Sequence, residues 1–405
     1  MTTLEDKFRK LGTDNAPGQE LRQNDSHLNS MLIGNSLSGI PVDFSHGNVD
    51  AFKPTPGSLD YFVDGFHIGG KRAYTEYRGD GQIREKLAVL LGKFTGTSIS
   101  GHEQMILTPG SQGALFLAMA ATISAGDKVA IVQPDYFANR KLVEFLDGEI
   151  VSVRMDYLAH EKQAGLDLSQ LEKAFRDGAK VFVFSNPNNP TGVIYSAEEI
   201  GAIAQLAEHY GVTVIVDQLY SRLLYSGEKY THLSAHSSAP QNLITIMGPS
   251  KTESLSGYRL GVAFGSAHII NRMEKLQAIV SLRASGYSQS VFQSWFTEPA
   301  GWMEERIRLH QAIRDDLLKA FSAIEGVAIR CPQAGSYLFP RLPQLRLGYQ
   351  DFVRVLRRQA NVIVTPGSEF SPHAMQSVRL NFSQDHQAAI DAVDRMAELI
   401  GRYRA

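Results

Sequence analysis

Short apolar runs of strand length, each followed by a helix-length pattern, constrain this chain more than any other feature. "QMILTP" (104–109) leads into the alanine- and leucine-rich "SQGALFLAMAATIS", and "KVAIVQ" (128–133) into a helical pattern over 137–146, with "EIVSVRM" beyond it. "AKVFVFSN" (179–186) precedes "SAEEIGAIAQLAEHYG", where Ser196 and Glu199 have the spacing of a capping box and Gly211 stands at the stop. "VTVIVD" (212–217) and "LITIM" (243–247) complete the set. Strands this apolar, separated by helices, fit a mostly parallel sheet covered on both faces. The expectation is an α/β fold with a large domain over 50–295. A long polar helical stretch follows, then "GVAIRC", "GSYLFPRL", "NVIVTP" and "SVRLNFS" among helical segments, the pattern of a smaller α+β domain over 296–405. Residues 1–49, rich in Gly, Asn and Ser, read as an N-terminal arm that belongs with the small domain.

In open α/β sheets, ligands bind beyond the carboxyl ends of the strands. Those ends carry Gly110-Ser111-Gln112-Gly113, Pro134-Asp135-Tyr136, "PNNPTG", Asp217-Gln218-Leu219-Tyr220, and "GPSKTESLSGYRLG" with Lys251 and Arg259. Taken singly, each also fits a turn, a helix cap, a core tyrosine or a solvated charge. Their coincidence at successive strand ends points to one binding site. The helix opened by Gly110 could hold a phosphate on its free N–H groups.

Composition excludes other classes. Lys plus Arg total 40 against 42 Asp plus Glu, so no positive excess argues for nucleic acid. Cys331 is the single cysteine, which rules out an intrachain disulfide and suits a reducing cytosol. "MTTLEDKFRKLG" has no apolar core of a secretory signal, and no apolar run approaches the ~20 residues of a membrane span. A soluble cytoplasmic protein with small-molecule partners is expected.

Together, "SNPNNPTG" (185–192), "DQLY" (217–220), Ser250-Lys251 and "GYRLG" (257–261) resemble the pyridoxal-phosphate enzymes of the class I/II aminotransferase family, in order and in spacing. "FSHGNVD" (44–50), "AYTEYRGDGQIREKLA", "TPGSEF" and "SVRLNFS" extend the resemblance over nearly the whole chain. It implies pyridoxal 5'-phosphate as cofactor and a role for each matched residue. Lys251 would form the Schiff base and move the Cα proton. Asp217 would face the pyridine nitrogen, and Asn189 and Tyr220 would donate to the phenolic oxygen. Tyr136 would stack on the ring, while the Ser111 and Gln112 amides and Arg259 would hold the phosphate. Tyr74 would reach the phosphate of a neighbouring subunit, which implies a homodimer with shared sites. Arg379 would pair with the substrate α-carboxylate beside Gly47. No metal site is expected.

The reaction implied is transfer of an amino group from an L-amino acid to a 2-oxo acid. The alternative is a lyase, decarboxylase or cyclising enzyme, since the cofactor stores the electrons and the pocket selects the bond. One departure stands out: Gly248 occupies a position where the family commonly carries a phosphate-binding hydroxyl, a contact left to Ser254, Ser256 or a water. Gln218 replaces the usual acid after Asp217. The side-chain specificity stays open between Arg283 as a cation for a dicarboxylate and the aromatic segment with Tyr61, Phe62 and Phe66.

Overall fold

The computed structural model describes residues 3–13, 18–19, 26–159 and 161–405. A seven-stranded sheet forms its centre, built after a short first strand, β1 (Val42–Asp43). Its strands are β2 (Met105–Pro109), β3 (Lys128–Gln133), β4 (Glu149–Arg154), β5 (Ala179–Ser185), β6 (Thr213–Asp217), β7 (Leu243–Met247) and β8 (Leu260–Gly265). They lie in the order β2-β8-β7-β6-β5-β3-β4. All neighbours run parallel except β8, which is antiparallel to both β7 and β2. The sheet is therefore mostly parallel, as its sequence pattern predicts.

Alternation explains how both faces are covered. In β5, Phe182 and Phe184 pack into one apolar cluster with Val214 and Val216 of β6; Val181, Val183 and Ile215 point into the other. Helices lie over each, including Gly110–Ala120 on one face and Ala197–Tyr210 on the other. The second helix has the capping box read from its sequence, with Ser196 as cap, Glu199 reaching back, and Gly211 at φ +66° ending it.

A separate apolar cluster gathers Val42, Phe44 and Phe52 with Leu317, Leu380 and Leu399. Around it, β9 (Tyr337–Leu338), β11 (Thr365–Pro366) and β12 (Val378–Asn381) form an antiparallel sheet in the order β11-β12-β9. β1 pairs in parallel with β10 (Val362–Ile363), so the end of the N-terminal arm packs with the C-terminal part of the chain. The aromatic segment with Tyr61, Phe62 and Phe66 is a helix, Ser58–Ile68. Among the described residues no helix is long and apolar enough to cross a membrane.

Candidate active site

The ends of β5, β6 and β7 lie side by side, with Ser185 opposite Asp217 and Asp217 opposite Ile246. The chain therefore leaves three adjacent strands at one level and places Asn189, Asp217, Tyr220 and Lys251 around one cavity of about 500 Å³. Ser111, Gln112, Tyr136, Arg259 and Arg379 line the same cavity. Gly47 lies in a smaller adjoining chamber that also reaches Lys251. Tyr74 is not brought there. It is 82% exposed, with the Arg283 guanidinium 5.4 Å from its ring centre.

One end of the cavity is built to take an anion. No side chain caps the helix Gly110–Ala120, which leaves its first N–H groups open. Gly110 has φ +78°, and a Cβ there would lie 2.6 Å from Arg259 Nη2. A Cβ on Gly261 would lie 2.3 Å from the Ser111 amide nitrogen. Two glycines thus let the guanidinium and the helix start close on one hollow. Arg259 itself adopts φ +56°, a left-handed conformation that costs a non-glycine residue about 1 kcal/mol or more.

Gly248 also has a packing reason, because its Cβ would meet the Leu260 carbonyl oxygen at 3.1 Å. The Ser254 hydroxyl, one expected substitute for the missing contact, instead accepts from Arg306 Nη1 at 2.9 Å. Ser256 does line the cavity, and so does Ser250, to which the Ser250-Lys251 motif assigned no separate role.

Toward the sheet, Asp217 Oδ1 accepts the Leu219 amide at 3.0 Å. Burial pushes its carboxyl up to about 6, against the pull of that hydrogen bond and of Lys251. The Tyr136 hydroxyl donates to Gln112 Oε1 at 2.9 Å, which ties the aromatic ring to the helix start. Tyr220 donates to the Tyr337 hydroxyl at 2.6 Å. Burial raises the Tyr220 phenol; burial acts the same way on Tyr337, but Arg379 and Lys251 together bring it below its ordinary value.

Arg379 is fully enclosed. Its Nη1 donates to Asn189 Oδ1 at 3.0 Å and its Nη2 to the Ser45 carbonyl at 2.9 Å. The guanidinium lies 4.4 Å from the Tyr337 ring centre and 4.8 Å from that of Phe370. His46 borders both chambers, with Nε2 3.3 Å from Asp43 Oδ2 and Nδ1 3.1 Å from the Gly47 carbonyl. Its pKa is raised, chiefly by the Asp43 hydrogen bond. Ser45, His46 and Tyr337 were missed as site residues; the first two adjoin Gly47 in "FSHGNVD", and that adjacency was the available signal.

The side-chain candidates lie elsewhere in this chain. Arg283 stacks on Tyr74 and Tyr77, Phe62 packs near Tyr258, and Phe66 sits against Tyr287. Among the described residues no group of three or more His, Cys, Asp or Glu side chains could hold a metal ion.

Comparison with known proteins agrees with this architecture. Residues 66–395 match the family model described as aminotransferase class I and II. An aspartate aminotransferase of Sulfolobus acidocaldarius is 30% identical over 339 residues, 82% of this chain and 84% of that protein. An aspartate/prephenate aminotransferase of Thermus thermophilus is 30% identical over 343 residues, with the same coverage. A crystal structure of an aspartate aminotransferase from Rhodobacter sphaeroides 2.4.1 is 62% identical, superposes with a TM-score of 0.96, and is matched over 100% of both chains.

Proposed function

The chain belongs to the class I and II aminotransferase family, and we propose that it works with pyridoxal 5'-phosphate held at Lys251 and takes an acidic L-amino acid as donor. Amino-group transfer is the family's reaction and this chain's. The observation that carries the rest is the convergence of Lys251, Asp217, Asn189, Arg259 and Arg379 on one cavity. The acidic donor is suggested by the names of the relatives, aspartate aminotransferases among them. Division into a large domain over 50–295 and a small one formed by 1–49 and 296–405 is supported by the separate apolar cluster around Phe44 and Leu380.

The residues fit the cofactor. The hollow between Arg259 and the Ser111 and Gln112 amides suits a phosphate, the Tyr136 ring gives a flat wall, and Asp217 offers a carboxylate from the sheet. Bound there, the cofactor would supply an electron-accepting ring for the charge left when a substrate Cα–H bond breaks.

Lys251 Nζ would be the covalent anchor, and once freed would carry the proton away from the substrate Cα. Asp217, although raised toward 6 by burial, would stay ionised opposite a positive ring nitrogen. Asn189 Oδ1 is committed to Arg379, which leaves its Nδ2 as the donor for the phenolic oxygen. Tyr220 would turn its proton from Tyr337 to that same oxygen. Arg379 would grip the α-carboxylate bidentately and orient the Cα–H bond, with Gly47 beside it.

Tyr74, exposed and remote from its own cavity, would serve the phosphate of a second copy in a homodimer. The exposed Leu59, Val63 and Phe66 of the neighbouring helix support such a face. Sedimentation should give a dimer, and a Tyr74→Ala variant mixed with an inactive Lys251→Ala variant should form hybrids with one intact site.

A donor panel tests the reaction. The holoenzyme mixed with single amino acids should lose its visible cofactor absorbance with L-aspartate or L-glutamate and regain it with a 2-oxo acid. Ammonia release without an acceptor would instead mark an elimination.

A further inference from the structure

Asp135 stands behind the cavity wall formed by Tyr136 and Ser185 and is itself buried, 2% exposed. Oδ1 accepts the Ser185 hydroxyl at 2.5 Å and the Tyr136 amide at 2.6 Å, while Oδ2 accepts the Ser185 amide at 2.9 Å. With its proton committed to Asp135, the Ser185 oxygen accepts the Asn189 backbone N–H at 3.0 Å. Asn189 Oδ1 in turn accepts Arg379 Nη1 at 3.0 Å. A second route runs through the backbone. The Asp135 N–H donates to the Phe370 carbonyl at 3.3 Å, and the Phe370 ring covers the Arg379 guanidinium.

Both routes end on the same cation. We propose that Asp135 is a positioning residue for the substrate α-carboxylate: its buried carboxyl group sets the tilt of Arg379 through Ser185 and Asn189, while its backbone N–H holds Phe370 over the same guanidinium. It rests on the reading that Arg379 binds that carboxylate. Four donors converge on Asp135, with Asn139 Nδ2 the longest at 3.4 Å, and an ionised carboxylate accepts them all, whereas an amide presents an N–H₂ to one of them. A planar guanidinium loses its bidentate fit when tilted.

Asp135→Asn keeps the shape and breaks the chain at its first link. In the holoenzyme it should raise KM for the amino donor roughly tenfold, the effect of one charge-assisted hydrogen bond, with kcat changed less. The spectral dissociation constant for the donor's 2-methyl analogue, which has no Cα–H to lose, should rise by the same factor. The half-reaction of the corresponding amine lacking the α-carboxylate should keep its wild-type rate. Ser185→Ala, which removes the hydroxyl alone, should shift KM in the same direction and guards against a folding defect in the first variant.

Wild-type KM and analogue affinity in both variants, with both raised in Arg379→Lys, would overturn the proposal. An equal loss with the amino acid and its amine would also overturn it, since that marks general distortion. Unchanged KM in Arg379→Lys would overturn the reading of the site itself.

Discussion

At the residue scale, the positions legible in the sequence are those that stand immediately beyond strands. Lys251, Asp217 and Asn189 could be placed near one another because they end or closely follow β7, β6 and β5, whereas Arg259, just before β8, was placed only by resemblance. Tyr337 could not be placed in that way, because its partner Tyr220 lies 117 residues away and only tertiary packing joins them. Gly248 shows the limit from the other side. It reads as a lost hydroxyl, but the structure adds a close backbone approach, with the Leu260 carbonyl 3.1 Å from where a Cβ would sit. Gly248→Ser is therefore expected to lower unfolding free energy by about 1 kcal/mol in denaturant titration, the low end of overpacking, because the Leu260 carbonyl need give only slightly. Unchanged stability would mean that β7 and β8 can part there without cost.

At the element scale, the helix Ala197–Tyr210 was readable to its ends because its signals are local: Ser196, Glu199 and Gly211. Its larger role was not. The Glu199 carboxylate is buried and accepts the amides of Ala164, Gly165 and Leu166 as well as that of Ser196, so it also pins a distant loop. Glu199→Ala leaves those buried donors unpaired and is expected to cost roughly 3 kcal/mol, several times what a cap alone is worth. A loss near 1 kcal/mol in denaturant titration would show that water replaces the carboxylate. β8 escaped notice because "LGVAFG" is short, begins and ends near glycines, and overlaps the stretch read for chemistry. Its antiparallel course places Arg259 against Gly110, which no local pattern encodes.

At the scale of the whole molecule, the separate apolar cluster borders the small chamber at His310, which stacks on Phe52 at 4.0 Å and has its Nε2 3.0 Å from Ser383 Oγ. Burial pushes the His310 pKa down to about 4, so the folded protein binds fewer protons there than the unfolded chain. Its share of stability is fully present above pH ~6.5 and is lost as pH falls toward 4, by up to about 3 kcal/mol. Asp135 and Asp217 act in the opposite sense, because burial raises both, to about 7 and about 6. A comparison of His310→Gln with the parent cancels that background, and the variant should lose less stability between pH 6.5 and 4.5. Parallel curves would contradict the assignment. The central claim is that the strand ends converge so that Lys251, and no other lysine, holds the cofactor. Borohydride reduction of the holoenzyme followed by peptide mapping tests it most directly: the account predicts a pyridoxyl adduct on Lys251, and an adduct on a different lysine, or none, would contradict it.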